Sequence, residues 1–263
     1  MSDQTDIQYF KEYRNKLGFS SKDQTKNFLS GKDISPEIDY IYIEKFNNRL
    51  CNIIEKINNI IIPTLKNTNM ETFYNDKIFN VYSQIKKNNI IPLLNNQGRR
   101  PEQVYFSWMR GFVISHYFQK SLAYIFNTTE DNISIIGADD FSKKENFKRS
   151  PTADLLIITN NTTLRIEMQS GFQDINDIKQ HKVLEAKNIY NQSSEKTLVI
   201  HFDIFNGQVA FVPVYNIENT SLHWITRQQM EGQTVFNISQ NNFIWKLTEQ
   251  YPSLKEIEKI LCL

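Results

Sequence analysis

The chain has 263 residues, with 30 Lys plus Arg against 29 Asp plus Glu and a formal charge of +1. A balance so close to neutral excludes bulk attraction to a polyanion, so any nucleic-acid surface must come from local clustering. Two cysteines, Cys51 and Cys262, without Cys-x-x-Cys or Cys/His spacing, exclude a disulfide framework and a zinc module.

Hydrophobic residues make up 40% and aromatic residues 13% of the chain, enough for a substantial core. No stretch approaches the roughly 18 apolar residues that span a bilayer. The opening "MSDQTDIQYFKEYRNK" is polar and has no apolar signal core. The expectation is a cytoplasmic protein with no membrane partner.

Residues 1–98 read as short helices. Ile43, Phe46, Leu50, Ile53, Ile54 and Ile57 recur at helical spacing, and Pro63 ends that pattern. "LLNNQGRRP" is a loop pivoting on Gly98. A long helix starts at Pro101, with Glu102 at its positive end, and is apolar nearly all round, which makes it central. "NISIIG" is a short strand, "ADDFSKKENFKRSP" a polar loop, and "ADLLIIT" and "TLRIEMQS" are two further strands. Ile175–Tyr190 reads as a helix with Ile175, Ile178, Ala186, Ile189 and Tyr190 on one face and Lys182 in the middle of it. "TLVIHFDIF" and "QVAFVPV" are strands joined at Asn206-Gly207, a strong hairpin signal. The pattern beyond Tyr215 is mixed until "SLKEIEKILCL", a helix with Ser253 and Glu256 spaced as a capping box. Together these predict an α/β fold: a mixed central sheet flanked by helices, in one domain spanning 1–263 with a helical N-terminal region (1–98), a core (99–215) and a C-terminal extension (216–263).

"LRIEMQS" alternates without exception. Leu164, Ile166 and Met168 take one face; Arg165, Glu167 and Gln169 take the other. The preceding "TNNTT" is a turn. If Asn160 and Asn161 are its two central residues, Asp154 faces Glu167; if the loop has four residues, Asp154 faces Gln169. Either register brings the Asp154 carboxylate into this polar group. Two close carboxylates repel, so a proton or a cation must settle them, and a hard cation such as Mg2+ takes such oxygen ligands. A cross-strand network neutralised by Arg165 is the alternative reading.

"PTADLLIITNNTTLRIEMQS" resembles the signature of the PD-(D/E)xK nuclease superfamily, and the helix, three strands, helix, strand order resembles its core over roughly Arg99 to Val214. Within that superfamily the size and the flanks look most like a type II restriction endonuclease. The resemblance implies a restriction-endonuclease-like core over 99–215. It implies Mg2+-dependent, sequence-specific hydrolysis of double-stranded DNA by a homodimer, working beside a cognate DNA methyltransferase. Asp154 and Glu167 would be the metal ligands, with Glu102 a further acid at the head of the central helix. The chain departs from the pattern in that Pro151 stands three residues before Asp154 and Gln169 occupies the usual lysine position. Glu-x-Gln is a minority form among restriction enzymes. Gln169 would orient water, and Lys182 on the following helix would supply the missing charge. Phosphate contacts are expected from Arg99 and Arg100, from Lys143, Lys144, Lys148 and Arg149, and from Arg165; Arg227, Gln228 and Gln229 are suited to reading base edges. A nuclease without sequence specificity, of the repair or phage type, and a non-cleaving DNA-binding protein with a decayed site are the alternatives.

Overall fold

The computed structural model describes residues 2–94, 99–136, 141, 153–159, 163–218, 222–227 and 232–261. Helices α1 (Ser2–Lys16), α2 (Lys22–Leu29), α3 (Tyr40–Ile60), α4 (Met70–Tyr74) and α5 (Asn80–Lys87) precede the long helix α6 (Pro101–Ile125). Strands β1 (Ile133–Ile135), β2 (Leu155–Ile158), β3 (Thr163–Gly171) and β4 (Asp177–Lys179) lead into α7 (Gln180–Ser193). Then come β5 (Lys196–Asp203), β6 (Gln208–Pro213), β7 (Ile225–Arg227), β8 (Gln233–Asn237), β9 (Phe243–Lys246) and α8 (Leu254–Ile260). Among the described residues no helix is long and apolar enough to cross a membrane.

The main sheet has the order β1-β2-β3-β5-β6-β9 and is mixed: β3 and β5 run parallel, and the other neighbours are antiparallel. This is the mixed α/β architecture expected from the sequence. A second sheet, β4-β8-β7, was not foreseen. It corrects the expected helix start at Ile175. Ile178 pairs with Phe236 and is fully buried, so the β8 ladder takes the backbone of Asp177–Lys179 and α7 begins only at Gln180. The stretch read as a C-terminal extension also contributes to the core, since β9 is the edge strand of the main sheet. The β5–β6 turn does fall at Asn206-Gly207. Asp203 pairs with Gln208 and Gly207 has φ +70°, so the loop is four residues, Ile204–Gly207, with the left-handed position taken by glycine.

The two faces of the main sheet differ in chemistry. Leu164, Ile166 and Met168 of β3 and Leu198, Ile200 and Phe202 of β5 all lie in the large core with α6 and α3. Phe118 of α6 stacks on Phe202 at 4.4 Å, and Tyr105 and Tyr117 of α6 donate hydrogen bonds to Asn47 (2.7 Å) and Asn58 (2.6 Å) of α3. Burying side chains of this size stabilises by about 1.5–3 kcal/mol each. The opposite face packs a smaller core, in which Val199, Ala210 and Val212 meet Val183 and Ala186 of α7 and Ile178 and Phe236 of the small sheet.

This second face also carries a buried polar row. His201 lies beside Gln169 in the β3–β5 register. Its Nε2 is 2.8 Å from Asn176 Oδ1, and Asn176 donates to Asp203 Oδ2 at 3.1 Å. Asp203 is fully buried and also accepts from Asn206 and Gln208. Burial pushes its carboxyl up, but these donors outweigh burial and hold it below the ordinary value. Burial depresses His201 to about 4 against the opposing pull of Asp203 and Asp177, so the imidazole is neutral at physiological pH.

Gly171 makes room for this row. A Cβ there would sit 2.8 Å from Asn176 Oδ1 and 2.9 Å from His201 Nε2. Both atoms are buried and bonded to each other, so neither can withdraw without loss. Gly171→Ala is expected to destabilise by about 1–3 kcal/mol, lowering the calorimetric Tm by several degrees. An unchanged Tm would mean that the Asn176–His201 pair relaxes freely.

Candidate active site

The β2–β3 hairpin sets the site. Leu155 faces Ile166 and Ile158 faces Thr163. One further step in this register puts Asp154 opposite Glu167, as in the first of the two turn alternatives. The turn residues Asn160 and Asn161 lie outside the described residues. Asp154 is pinned on both sides, since its N–H donates to the Ile166 carbonyl and its carbonyl accepts from Ile136 N–H, each at 3.0 Å. Its Oδ2 accepts the Met168 N–H at 2.7 Å.

Glu167 stands on the polar face of β3 and is only 6% exposed. Its Oε2 accepts from Lys182 Nζ at 2.8 Å, and the Gln169 amide also donates to it. Burial and the neighbouring Asp154 raise its carboxyl, Lys182 and Gln169 lower it, and the raising influences win, taking it to about 8. Lys182 Nζ reaches Glu167 from the first turn of α7, so the lysine expected to face the site does so, though not through the wheel of Ile175 and Ile178. Beyond this pair lies a small pocket whose walls include Glu185, Ala186 and Ile189 of α7 and Thr197 and Val199 of β5. Glu185 stands one helical turn past Lys182; its i, i+3 spacing in the sequence places it beside that lysine as a solvated or supporting residue, and here it lines the pocket.

The donor set fits a hard divalent cation. Once Glu167 gives up its proton, the two facing carboxylates carry more negative charge than Lys182 neutralises, and oxygen ligands suit Mg2+. Among the described residues no group of three or more His, Cys, Asp and Glu is disposed to hold a metal. Water and substrate phosphate would have to complete the shell.

The other expected site residues have different surroundings. Glu102 is fully buried, accepts from Arg100 Nη2 and Asp39 N–H at 2.8 Å each, and ties the head of α6 to the start of α3. Burial raises its carboxyl, and the Arg100 and backbone donors bring it below the ordinary value. Arg100 is thereby engaged, and both Arg99 and Arg100 are exposed. Arg165 pairs with Glu195 at 2.9 Å, and its Nε has no hydrogen-bond partner among the described residues. Arg227 grips Asp177 through Nε at 2.8 Å and Nη2 at 3.3 Å, which locks β7 to β4 across the small sheet. Lys143, Lys144, Lys148, Arg149, Gln228 and Gln229 lie outside the described residues.

No family model matches the sequence, and no curated protein matches it. Among solved structures, the chain is similar to Hjc, a Holliday junction resolvase of the archaeal hyperthermophile Archaeoglobus fulgidus. The identity is 15% and the TM-score 0.31, over 49% of this chain and 87% of that one.

The elevated Glu167 carboxyl has a sign that can be measured. Folded, it keeps a proton that the unfolded chain releases near its ordinary 4.5. The stabilisation is therefore complete below that value and is lost as pH climbs towards about 8. In metal-free buffer, the Tm of the parent should fall across this window relative to that of Glu167→Gln, which has no proton to release. Parallel Tm profiles for the two proteins would show that Glu167 does not titrate there.

Proposed function

We propose that this protein is a Mg2+-dependent endonuclease of the PD-(D/E)xK kind that cuts double-stranded DNA at specific sequences, as type II restriction enzymes do. The observation that carries this reading is the group of Asp154, Glu167, Gln169 and Lys182 on one sheet face, with Lys182 Nζ 2.8 Å from Glu167. Its helix and strand order agrees with the resemblance noted in the sequence. A homodimer cutting one strand per subunit and a cognate methyltransferase protecting the host sequence belong to the same reading.

Asp154 and Glu167 would hold the cation. When bound, it would neutralise charge developing at the scissile phosphate and make a bound water more acidic. The protein's own groups do the positioning. The Met168 N–H fixes Oδ2 of the Asp154 carboxylate and so the orientation of the whole group. Lys182 holds Glu167 in its rotamer and presents a positive charge where a phosphate oxygen would lie. Gln169 cannot take a proton. Its amide N–H donates to Glu167, and its carbonyl oxygen would accept from the attacking water and help orient it. The closed α7 side limits bulk water around the pair.

Incubation of plasmid DNA with the purified protein and Mg2+ tests this reading. Discrete fragments are expected. A smear would indicate cleavage without sequence specificity, and binding without cleavage a decayed site. Asp154→Ala and Glu167→Ala should each lower cleavage at least about 10²-fold. Lys182→Met should lower it similarly with little change in DNA affinity. Full activity of Glu167→Ala would remove the assignment altogether.

A further inference from the structure

The α1–α2 arm stands apart from both cores. Of residues 6–37, only Thr25 is buried. The side chains of Ile7, Tyr9, Phe10, Tyr13, Phe28 and Leu29 are 50% to 71% exposed. Phe19 of the connection packs on Phe28 of α2 at 5.1 Å, and the apolar side chains of α1 remain exposed. A helix of this length is marginal in water without a tertiary partner, and an exposed stripe of large apolar side chains, here interrupted by Asp6 and Arg14, is suited to being covered.

We infer that a second copy of this chain covers it, α1 packing antiparallel on α1 about a two-fold axis. The charge order along the helix selects this occupant. Asp6 lies in the first half of α1, within the same stripe as Phe10, Tyr13 and Leu17, and Arg14 and Lys16 form its last turn. Antiparallel pairing centred on Phe10 sets Ile7 against Tyr13 and Asp6 against Arg14 of the second copy, twice by symmetry. A parallel pair would instead oppose Asp6 with Asp6 and Arg14 with Arg14. Residues 1–38 contain six Lys plus Arg and six Asp plus Glu, so the arm as a whole has no excess positive charge with which to attract phosphate. The self-complementary contact closes after two subunits and does not propagate.

This contact deepens the proposed function in one respect: a two-fold dimer supplies two sites for two strands. Its test is independent of cleavage, because oligomeric state is measured on the full chain without DNA. Sedimentation analysis at about 1–100 µM should show the parent as a dimer with Kd in or below that range. Phe10→Glu combined with Tyr13→Glu should give a monomer. Asp6→Arg and Arg14→Asp should each weaken the dimer at least about tenfold, and the two together should restore it. Unchanged circular dichroism melting of the core verifies folding, since these side chains touch neither core. A monomeric parent, a dimer indifferent to these changes, or a double reversal that fails to restore it would each overturn the inference. DNA cleavage failing with an intact dimer would count only against the catalytic reading.

Discussion

Glu167 is a carboxylate that the fold buries beside another carboxylate with a single lysine for compensation. The organisation around it follows from that constraint. Desolvation and Asp154 push it towards the neutral form, Lys182 pulls it towards the charged form, and the first two prevail. A site in that condition takes up either a proton or an external cation. A structural salt bridge would match the charges; here, once Glu167 is ionised, two carboxylates face one lysine. The Met168 N–H on Asp154 and the Lys182 bond on Glu167 fix both carboxylates before any ligand arrives. Under the proposed function, metal-assisted hydrolysis would draw on this preorganisation.

The sheet reconciles this polar group with stability by dividing its two faces. The large core sits on the α6 face and contains Ile166, Phe202 and Trp245. The site occupies the other face, beside a smaller core, and continues into the His201–Asn176–Asp203 row. That row is buried and mostly bonded, so it stiffens the end of β3 without adding charge near Glu167. Gly171 is its geometric condition, because any side chain there would fill the place where Asn176 meets His201. The small sheet, clamped by Arg227 on Asp177, holds Asn176 in position from the other side. Rigidity at the site therefore depends on residues far from it in sequence.

Several basic residues that a sequence reading assigns to DNA have protein partners in the fold. Arg100, Arg165 and Arg227 each engage a carboxylate, respectively Glu102, Glu195 and Asp177. Glu102, read as a third metal ligand, is consumed by Arg100 and the Asp39 backbone. Charge alone does not reveal a residue's partner, since an arginine near a site has the same composition whether it binds phosphate or closes an internal pair.

The sequence by itself determined the local order: the unbroken alternation of Leu164–Gln169, the position of α6 after Pro101, the turn at Asn206-Gly207 and the capping box at Ser253. Each depends on a period or a dihedral preference that neighbouring residues express without help. It also brought Asp154 and Glu167 together, because a hairpin register is a short-range matter, though two loop lengths stayed open. Only the tertiary structure decided between them, through the β2–β3 ladder. Tertiary contacts also took Ile175–Lys179 out of the expected helix and made Asp177–Lys179 a strand, because β8, more than fifty residues on, offered its edge. The same contacts brought Lys182 onto Glu167 and buried His201 beside Gln169, joining elements whose separation in the chain carries no local signal. A period reports which face a residue takes; what stands opposite that face is set by packing between distant segments.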